Sequence, residues 1–280
     1  MNTKRIVFLL VAALLFLSPI SQQFLSAQGQ AQGQGQGRNR GNATAPKPAP
    51  HFPDGSPNLG ITPEQKGLWL PQDRTELGRR STLAPVDTIP FQPWAKALYD
   101  DRQVRELEPH TRCHPSGVAR EFQTPYGVDF VHIPELQRMY IFDVGGPHTF
   151  RTIFMDTKKH PANLEPSEYG HSTGHWEGET LVVDTVGFSE DFWIDRTGLP
   201  HTPKLHTIER FTRTNFNTIK YEVTIDDPDA YTKVWSGGFN LRWSPNVELF
   251  EYVCQDNNHA PSLMTNPDGS EISFLNPVIP

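Results

Sequence analysis

Hydrophobic and polar residues alternate along much of the second half of the chain. The clearest run has Ile219, Tyr221, Val223 and Ile225 separated by single polar residues. Successive side chains of a strand point to opposite faces, so this run predicts a strand with one buried face. Similar short runs, bounded by turn residues, predict strands at 127–133, 138–144, 148–155, 173–177, 180–187, 204–213, 218–226, 230–236, 239–244 and 247–254.

The separators between these runs contain residues that tight turns need, such as Glu177-Gly178, Gly237-Gly238 and Ser244-Pro245-Asn246. Many short strands joined by short turns are typical of an antiparallel meander, and no long helical patterns alternate with them. We therefore expect a mainly β fold, in which an antiparallel meander forms a closed or nearly closed barrel. A β-sandwich is the alternative architecture.

One helix is expected ahead of the strands, at residues 93–107. The segment opens with a proline, which suits the first helical turn, and Pro109 follows its end. Its apolar side chains fall mostly on one side. They are Trp94, Ala97, Leu98 and Val104. This pattern predicts an N-terminal helix packed outside the barrel.

The chain begins with features of a signal peptide, predicted at residues 1–27. Lys4 and Arg5 precede an apolar run at 6–20, and small residues at Ser26 and Ala27 offer a cleavage site. An uncleaved membrane anchor is the alternative. We expect a periplasmic or secreted protein with no stable membrane insertion after cleavage.

The rest of the chain divides by composition into a linker and one domain. Residues 28–50 are rich in Gln, Gly and Pro and are expected to be a disordered linker. Residues 51–280 suit a single β-rich domain, with a helical lead-in at 51–110 and the β region at 113–260.

The net charge bears on which partners the protein can bind, and the two cysteines bear on whether it contains a disulfide. Five of the 25 basic side chains and none of the 32 acidic ones lie in the first 50 residues, which leaves residues 51–280 with a net charge of −12. Nucleic acid binding needs a basic surface and is not expected. In an oxidising compartment, Cys113 and Cys254 are expected to form a disulfide. Two free buried thiols or a metal-binding pair are the alternatives.

Polar residues among apolar strands mark a candidate catalytic site. Asp184 lies within a valine-rich strand, where an ionised carboxylate needs a partner. His206 shares one strand face with Arg210, and an imidazole oriented by a carboxylate is a common general base. We predict Asp184 and His206 as the proton-exchange pair, with His171 and Glu209 positioning or polarising the substrate. Structural ion pairs of these residues are the alternative.

Other residues of the same region are predicted to contact a ligand. His171 and His175, four residues apart, lie on one face of a strand. The predicted ligand-binding residues are Trp176, Trp193, His175, Arg210 and Trp235. No cofactor is expected. If a divalent metal binds, its predicted ligands are His171, His201 and His206.

Four segments carry a resemblance to a known group of proteins: FQPWAKALYD (91–100), GHSTGHWEGETLVVDTVGF (170–188), GLPHTPKLHTIERFTR (198–213) and YEVTIDDPDAYT (221–232). They resemble a widespread family of uncharacterised exported bacterial proteins, over residues 60 to 260. In that family the motif usually reads GHSIGRWEGDTLVVDT, so His175 replaces an arginine and Glu179 an aspartate. The family implies no chemistry. The Gly174-x-Trp176 run is also similar to calycin barrels.

Three functional hypotheses follow. The first is an exported enzyme that uses His/Asp acid–base chemistry as a hydrolase, lyase or isomerase on a small, partly apolar substrate. The second is a periplasmic carrier of a hydrophobic or aromatic ligand, with a Trp- and Phe-lined cavity. The third is an envelope interaction protein with no cavity. The sequence indicates no oligomeric state.

Overall fold

Nine strands form one closed barrel in the computed structural model, which describes residues 45–72, 83–145 and 149–254. The strands are β1 Gly67–Pro71, β2 Val128–Ile133, β3 Arg138–Asp143, β4 Phe150–Phe154, β5 His171–Glu177, β6 Thr180–Val186, β7 His206–Asn215, β8 Thr218–Asp226 and β9 Trp235–Pro245. Their order around the barrel follows the chain, and β9 pairs with β1 to close it. The predicted barrel is confirmed, and a sandwich is ruled out.

Strand β1 lies inside the segment that was predicted as a helical lead-in. All five of its residues are buried, so it has no alternation for a sequence pattern to reveal. Its register places Trp69 opposite Trp243 of β9, and the two rings meet edge to face with centroids 5.0 Å apart. A short, wholly buried strand therefore supplies the closure of the barrel.

The predicted strand at 239–244 is part of the longer strand β9, whereas only Trp235 and Ser236 of the predicted strand at 230–236 belong to a strand. Gly237 and Gly238 lie within β9 rather than in a turn. The N–H of Gly238 donates to the carbonyl of Leu83 at 2.8 Å, and a Cβ on Gly237 would lie 2.4 Å from that same oxygen. These glycines allow another segment to cross closely over the strand. The predicted strand at 247–254 is not a strand.

One neighbouring pair departs from the expected antiparallel pattern. Strands β4 and β5 are parallel, with Ile153 opposite Ser172, whereas the other pairs are antiparallel. Parallel neighbours need a connection that returns along the length of the strand. Residues 155–170 make that return, and we call them the crossing loop.

The predicted helix is present but shorter. Helix α1 spans Pro93–Arg102, and its buried residues are Ala95 and Tyr99 rather than the predicted stripe. Val104 lies beyond the end of the helix and is exposed. Trp94 donates from Nε1 to the carbonyl of Asp229 at 2.8 Å, which attaches α1 to the segment between β8 and β9. No helix in the described ranges is long and apolar enough to cross a membrane.

Large side chains fill the barrel interior. The predicted inward face of β8 is confirmed, because Ile219, Tyr221, Val223 and Ile225 are all buried. A 3₁₀ turn at Arg120–Gln123 is buried at every residue. Its Phe122 ring packs against the rings of Phe130, Phe211 and Tyr221.

The predicted disulfide between Cys113 and Cys254 is confirmed, with Cα atoms 5.5 Å apart. It joins the segment before β2 to the segment after β9, across 141 residues of chain.

Candidate functional site

The outer wall of the barrel collects three histidines and one aspartate. On β6 the buried side chains of Leu181, Val183 and Thr185 alternate with Asp184, whose side chain is 40% exposed. His171 on β5 and His206 on β7 occupy the same outer face of the neighbouring strands. The crossing loop adds a fourth member from outside the sheet. We call His160, His171, Asp184 and His206 the outer-wall cluster.

One oxygen of Asp184 is in contact with two imidazoles. His206 Nε2 lies 2.9 Å from Oδ1, and His160 Nε2 lies 3.1 Å from the same atom. The other ring nitrogen of His160, Nδ1, lies 2.9 Å from Nδ1 of His171. The four side chains are thereby linked in one continuous hydrogen-bonded chain.

The direction of these hydrogen bonds follows from the donors available. A carboxylate only accepts, so the proton in each contact with Asp184 lies on the imidazole. Neutral His160, with its proton on Nε2, then accepts at Nδ1, and His171 must donate from its own Nδ1. The ring nitrogens that remain for a substrate are Nε2 of His171 and Nδ1 of His206.

The surroundings of His171 favour the neutral form of its ring. Its imidazole stacks on Phe154 with centroids 4.7 Å apart and ring planes 10° from parallel. Burial, followed by the neighbouring His160, lowers the pKa of His171. Solvent still reaches the cluster, because the side chains of His160 and His206 are 19% and 37% exposed.

Glu209 does not join the other three predicted catalytic residues. It faces the barrel interior and is fully buried, whereas His206 and Arg210 on the same strand face outward. His206 and Arg210 share one strand face, as predicted, and that face is the outer one. Thr207, Glu209 and Phe211 fill the inward positions of β7 instead.

A buried ion-pair network explains how the interior tolerates Glu209. Arg151 Nη2 and Nη1 donate to its two carboxylate oxygens, and Nη1 also lies 2.9 Å from Oε1 of Glu121. Tyr221 donates to Glu209 at 3.0 Å. Burial raises the pKa of Glu121 to about 8, against the opposing effect of Arg151. One guanidinium cation is thus shared by two buried carboxyl groups, and the raised pKa of Glu121 favours its protonated form.

The same guanidinium also bonds to two hydroxyl groups. Arg151 Nε lies 2.9 Å from Ser172 Oγ, and Nη2 lies 2.8 Å from Thr185 Oγ1. The nitrogens of Arg151 are all hydrogen-bonded in this way, whereas Oε2 of Glu121 is buried without a hydrogen bond. The network holds the interior of the barrel together around one guanidinium.

Most predicted ligand contacts lie away from the outer-wall cluster. His175 and Arg210 face outward but bond to Glu177, at 3.3 and 2.9 Å. Trp176 and Trp235 pack against the hydrophobic core. These four residues are not gathered around one space.

Trp193, the fifth predicted contact, lies beside a separate cleft near α1. The cleft has a volume of about 160 Å³. Arg102 lies over the Trp193 ring at 5.1 Å and donates to Glu106 Oε2 at 3.1 Å. Burial raises the pKa of Glu106, whose other oxygen is buried without a hydrogen bond. The aromatic and polar groups here could hold a small polar ligand.

The predicted metal ligands His171, His201 and His206 do not converge. His201 is buried elsewhere, with Nε2 3.1 Å from the carbonyl oxygen of Phe192, and burial lowers its pKa to about 4. In the described ranges, no group of three or more His, Cys, Asp or Glu side chains could hold a metal ion.

Three important residues were missed by sequence reasoning. His160 lies in the irregular crossing loop, so its approach to Asp184 depends on a loop path that no periodic pattern reveals. Arg151 and Glu121 belong to the interior network. Arg151 does carry a signal, because it shares the inward parity of Ile153 on β4.

Comparisons with family models, curated proteins and solved structures found no match to this chain. The resemblance to exported bacterial proteins therefore stays a prediction, and the candidate site is argued from geometry alone.

Proposed function

We propose that the chain is an exported enzyme that moves protons with the outer-wall cluster. The observation that carries the proposal is the shared oxygen of Asp184, which accepts from His206 at 2.9 Å and from His160 at 3.1 Å. A carboxylate that fixes the tautomer of an imidazole leaves the opposite ring nitrogen as a base. Here that nitrogen is Nδ1 of His206.

The cluster contains the parts that general acid–base catalysis needs. His206 would take a proton from a substrate or a water molecule, and Asp184 would stabilise the imidazolium that forms. Protonated His206 would then return the proton to a leaving group or to another carbon of the substrate. Hydrolysis, elimination and isomerisation share this sequence, so the class of reaction remains within these three.

The neighbouring surface favours a small substrate with an apolar part. The ring of Phe154 lies under His171, and Ile208 lies directly opposite Asp184 in the sheet. Arg138 also lies over the Phe154 ring, with its guanidinium carbon 4.5 Å from the ring centroid. Because His171 and Arg138 both cover the Phe154 ring, the apolar part of a substrate would rest on Ile208 while a polar group meets the imidazoles.

A carrier function has less support from the interior of the barrel. The ligand of such a carrier would occupy the space enclosed by the strands, but Phe122, Arg151, Phe211 and Tyr221 fill that region.

Turnover measurements with variants test the proposal. The full chain is screened with small esters, lactones, enolisable ketones and β-substituted acids, and proton exchange in D₂O is followed by NMR. With a converted substrate, Asp184→Asn and His206→Ala should each lower kcat by about 100-fold or more, the usual scale of acid–base catalysis.

His175→Ala is the matched control, since His175 is an outward-facing imidazole of the same wall that bonds to Glu177 instead. It should keep the wild-type rate. Folded Asp184→Asn and His206→Ala proteins with full turnover would refute the assignment.

A further inference from the structure

We propose that a cavity on the outer face of β1 and β2 binds a small protonated aliphatic amine, whose ammonium group pairs with Asp129. This cavity is separate from the outer-wall cluster, which lies on β5, β6, β7 and the crossing loop. Amine binding does not depend on the proposed enzyme activity, so either can fail without the other.

Chain outside the barrel covers this part of its wall. On β1 the side chain of Trp69 belongs to the core inside the barrel, so its neighbour Leu68 faces outward. On β2 the core residues Val128 and Phe130 place Asp129 outward in the same way. Leu68 and Asp129 are nevertheless only 1% and 3% exposed. Both outward side chains are therefore enclosed by covering chain.

A cavity of about 230 Å³ remains between the wall and this covering chain. Its apolar lining includes Ile61, Leu68 and Leu249. Ile61 and Leu249 are 50% and 45% exposed, so they form an apolar mouth that is open to solvent. Since one water molecule takes ~30 Å³ of liquid, the cavity has room for a molecule of about six to eight non-hydrogen atoms.

Asp129 brings an unpaired carboxyl group to this apolar space. Its Oδ1 is buried without a hydrogen bond, and none of the described residues forms an ion pair with it. Lys66, the basic residue of the lining, bonds instead to Glu248 at 2.9 Å. Burial raises the pKa of Asp129 to about 6, against a smaller opposing effect of the Phe130 backbone. This pKa still favours the ionised form at neutral pH, and an ionised carboxylate in an apolar space is stabilised by a cation.

An aliphatic amine matches both the charge and the apolar lining of the cavity. Its ammonium group would donate charge-assisted hydrogen bonds to Asp129. Its hydrocarbon chain would lie against Ile61, Leu68 and Leu249, as apolar groups do in most ligand pockets. A carboxylic acid would place a second negative charge beside Asp129, and an alcohol would leave the carboxylate without a counterion. The cavity should therefore select amines over acids and alcohols of the same length.

Titrations with n-alkylamines test the proposal on the full chain. Wild type is titrated with amines from ethylamine to pentylamine, while ¹³C NMR follows the carboxyl resonance of Asp129 and ¹⁵N NMR follows the amide of Leu68. We expect one pentylamine per chain, with a Kd of about 1 mM or tighter. Each methylene should strengthen binding by up to about fourfold. Binding of 1-pentanol or pentanoate should be at least about tenfold weaker.

Two variants identify the acid that holds the ammonium group. Asp129→Asn keeps the shape of the side chain and removes its charge, so it should weaken pentylamine binding by at least about tenfold. Glu248→Gln is the matched control, because Glu248 is the exposed acid of the same cavity and pairs with Lys66. Its affinity should stay within about twofold of the wild type. Circular dichroism shows whether each variant is folded.

The pH dependence of binding gives a second measurement on the wild type. Protonation of Asp129 removes the charge that holds the amine, so a change from pH 7.5 to pH 5 should weaken pentylamine binding by about tenfold. The other charged groups of the lining are Lys66 and Glu248. Glu248→Gln should therefore keep the pH dependence, and Asp129→Asn should lose most of it.

Several results would overturn the proposal. They are the absence of saturable pentylamine binding, equal binding of 1-pentanol, and unchanged binding by folded Asp129→Asn. A loss of binding in Glu248→Gln alone would place the ammonium group at the surface and would overturn the proposal as well. If Asp129→Asn does not fold, the wild type decides, because a carboxyl resonance of Asp129 that does not respond to pentylamine would show that the amine does not reach this residue.

Discussion

Glu209 and Arg210 are consecutive residues of β7, and their side chains form ion pairs on opposite faces of the barrel wall. Glu209 bonds to Arg151 in the closed interior. Arg210 donates to Glu177 on the outside, with Nη2 2.9 Å from Oε2. Two ion pairs that are adjacent in sequence are therefore in very different solvent environments.

Removal of the buried cation should be far more harmful than removal of the exposed one. Arg151→Met leaves Glu209 and Glu121 buried without their counterion, which should lower the free energy of unfolding by roughly 3–5 kcal/mol. Arg210→Met breaks a solvent-screened pair and should leave it nearly unchanged. Urea denaturation of both variants measures the difference. Equal losses would contradict the assignment of Arg151 to a buried network.

The protonation of Glu121 predicts a particular pH dependence of stability. Burial raises its pKa in the folded state from the ordinary 4.5 to about 8. The folded protein binds this proton more tightly, so the contribution to stability is complete below about pH 4.5 and is lost as the pH rises through about 8.

Glu121→Gln should remove that decline, since glutamine stays neutral. The difference in unfolding free energy between wild type and Glu121→Gln should therefore shift in favour of the variant from pH 5 to pH 8. Denaturation at several pH values measures this shift. Parallel stability curves would show that Glu121 does not retain the proton.

Because the segment at Leu83 crosses closely over β9, adding one methyl group at Gly237 should lower the stability of the fold. In Gly237→Ala the new Cβ would meet the Leu83 carbonyl oxygen at 2.4 Å, and the segment at Leu83 would have to move. We expect a loss of about 1–3 kcal/mol in unfolding free energy, the scale of overpacking. Ser236→Ala, at the exposed neighbouring position, should change it by less than about 0.5 kcal/mol. Thermal denaturation distinguishes the two variants.

The disulfide closes a long loop, so its removal should destabilise the fold. In the double variant Cys113→Ser/Cys254→Ser, the unfolded chain loses the crosslink between two positions that are 141 residues apart. Loss of a native disulfide typically costs about 2–5 kcal/mol. Guanidinium denaturation of the double variant, beside oxidised wild type, measures this effect. Wild type treated with a reducing agent should show a similar loss.

Patterns with a local cause were predictable from the sequence. The alternation in β8 gave the inward face at Ile219, Tyr221, Val223 and Ile225, because burial on one side of a strand selects apolar residues at every second position. Strand β1 has no polar face, so no alternation distinguished it. Gly237 predicted a turn because glycine is common in turns. In the structure it lies within a strand, where the lack of a side chain leaves room for the backbone of Leu83.

The candidate site was predictable only in part. His171, Asp184 and His206 lie on three successive strands, and sheet pairing brings them together. The side of the wall on which they lie was decided by residues elsewhere in the chain. Arg151 supplies the counterion that lets Glu209 take an inward position, and this leaves His206 facing outward.

The position of His160 on the crossing loop makes the cluster separable from the barrel. Loops open more readily than paired strands, so an excursion of residues 155–170 could withdraw His160 while the nine strands stay paired. Such an opening would leave Asp184 with His206 alone. Amide hydrogen exchange should then be faster in the crossing loop than in β6 or β7. Opening and closing of this loop would break and re-form the contact between His160 and Asp184 without unfolding the barrel.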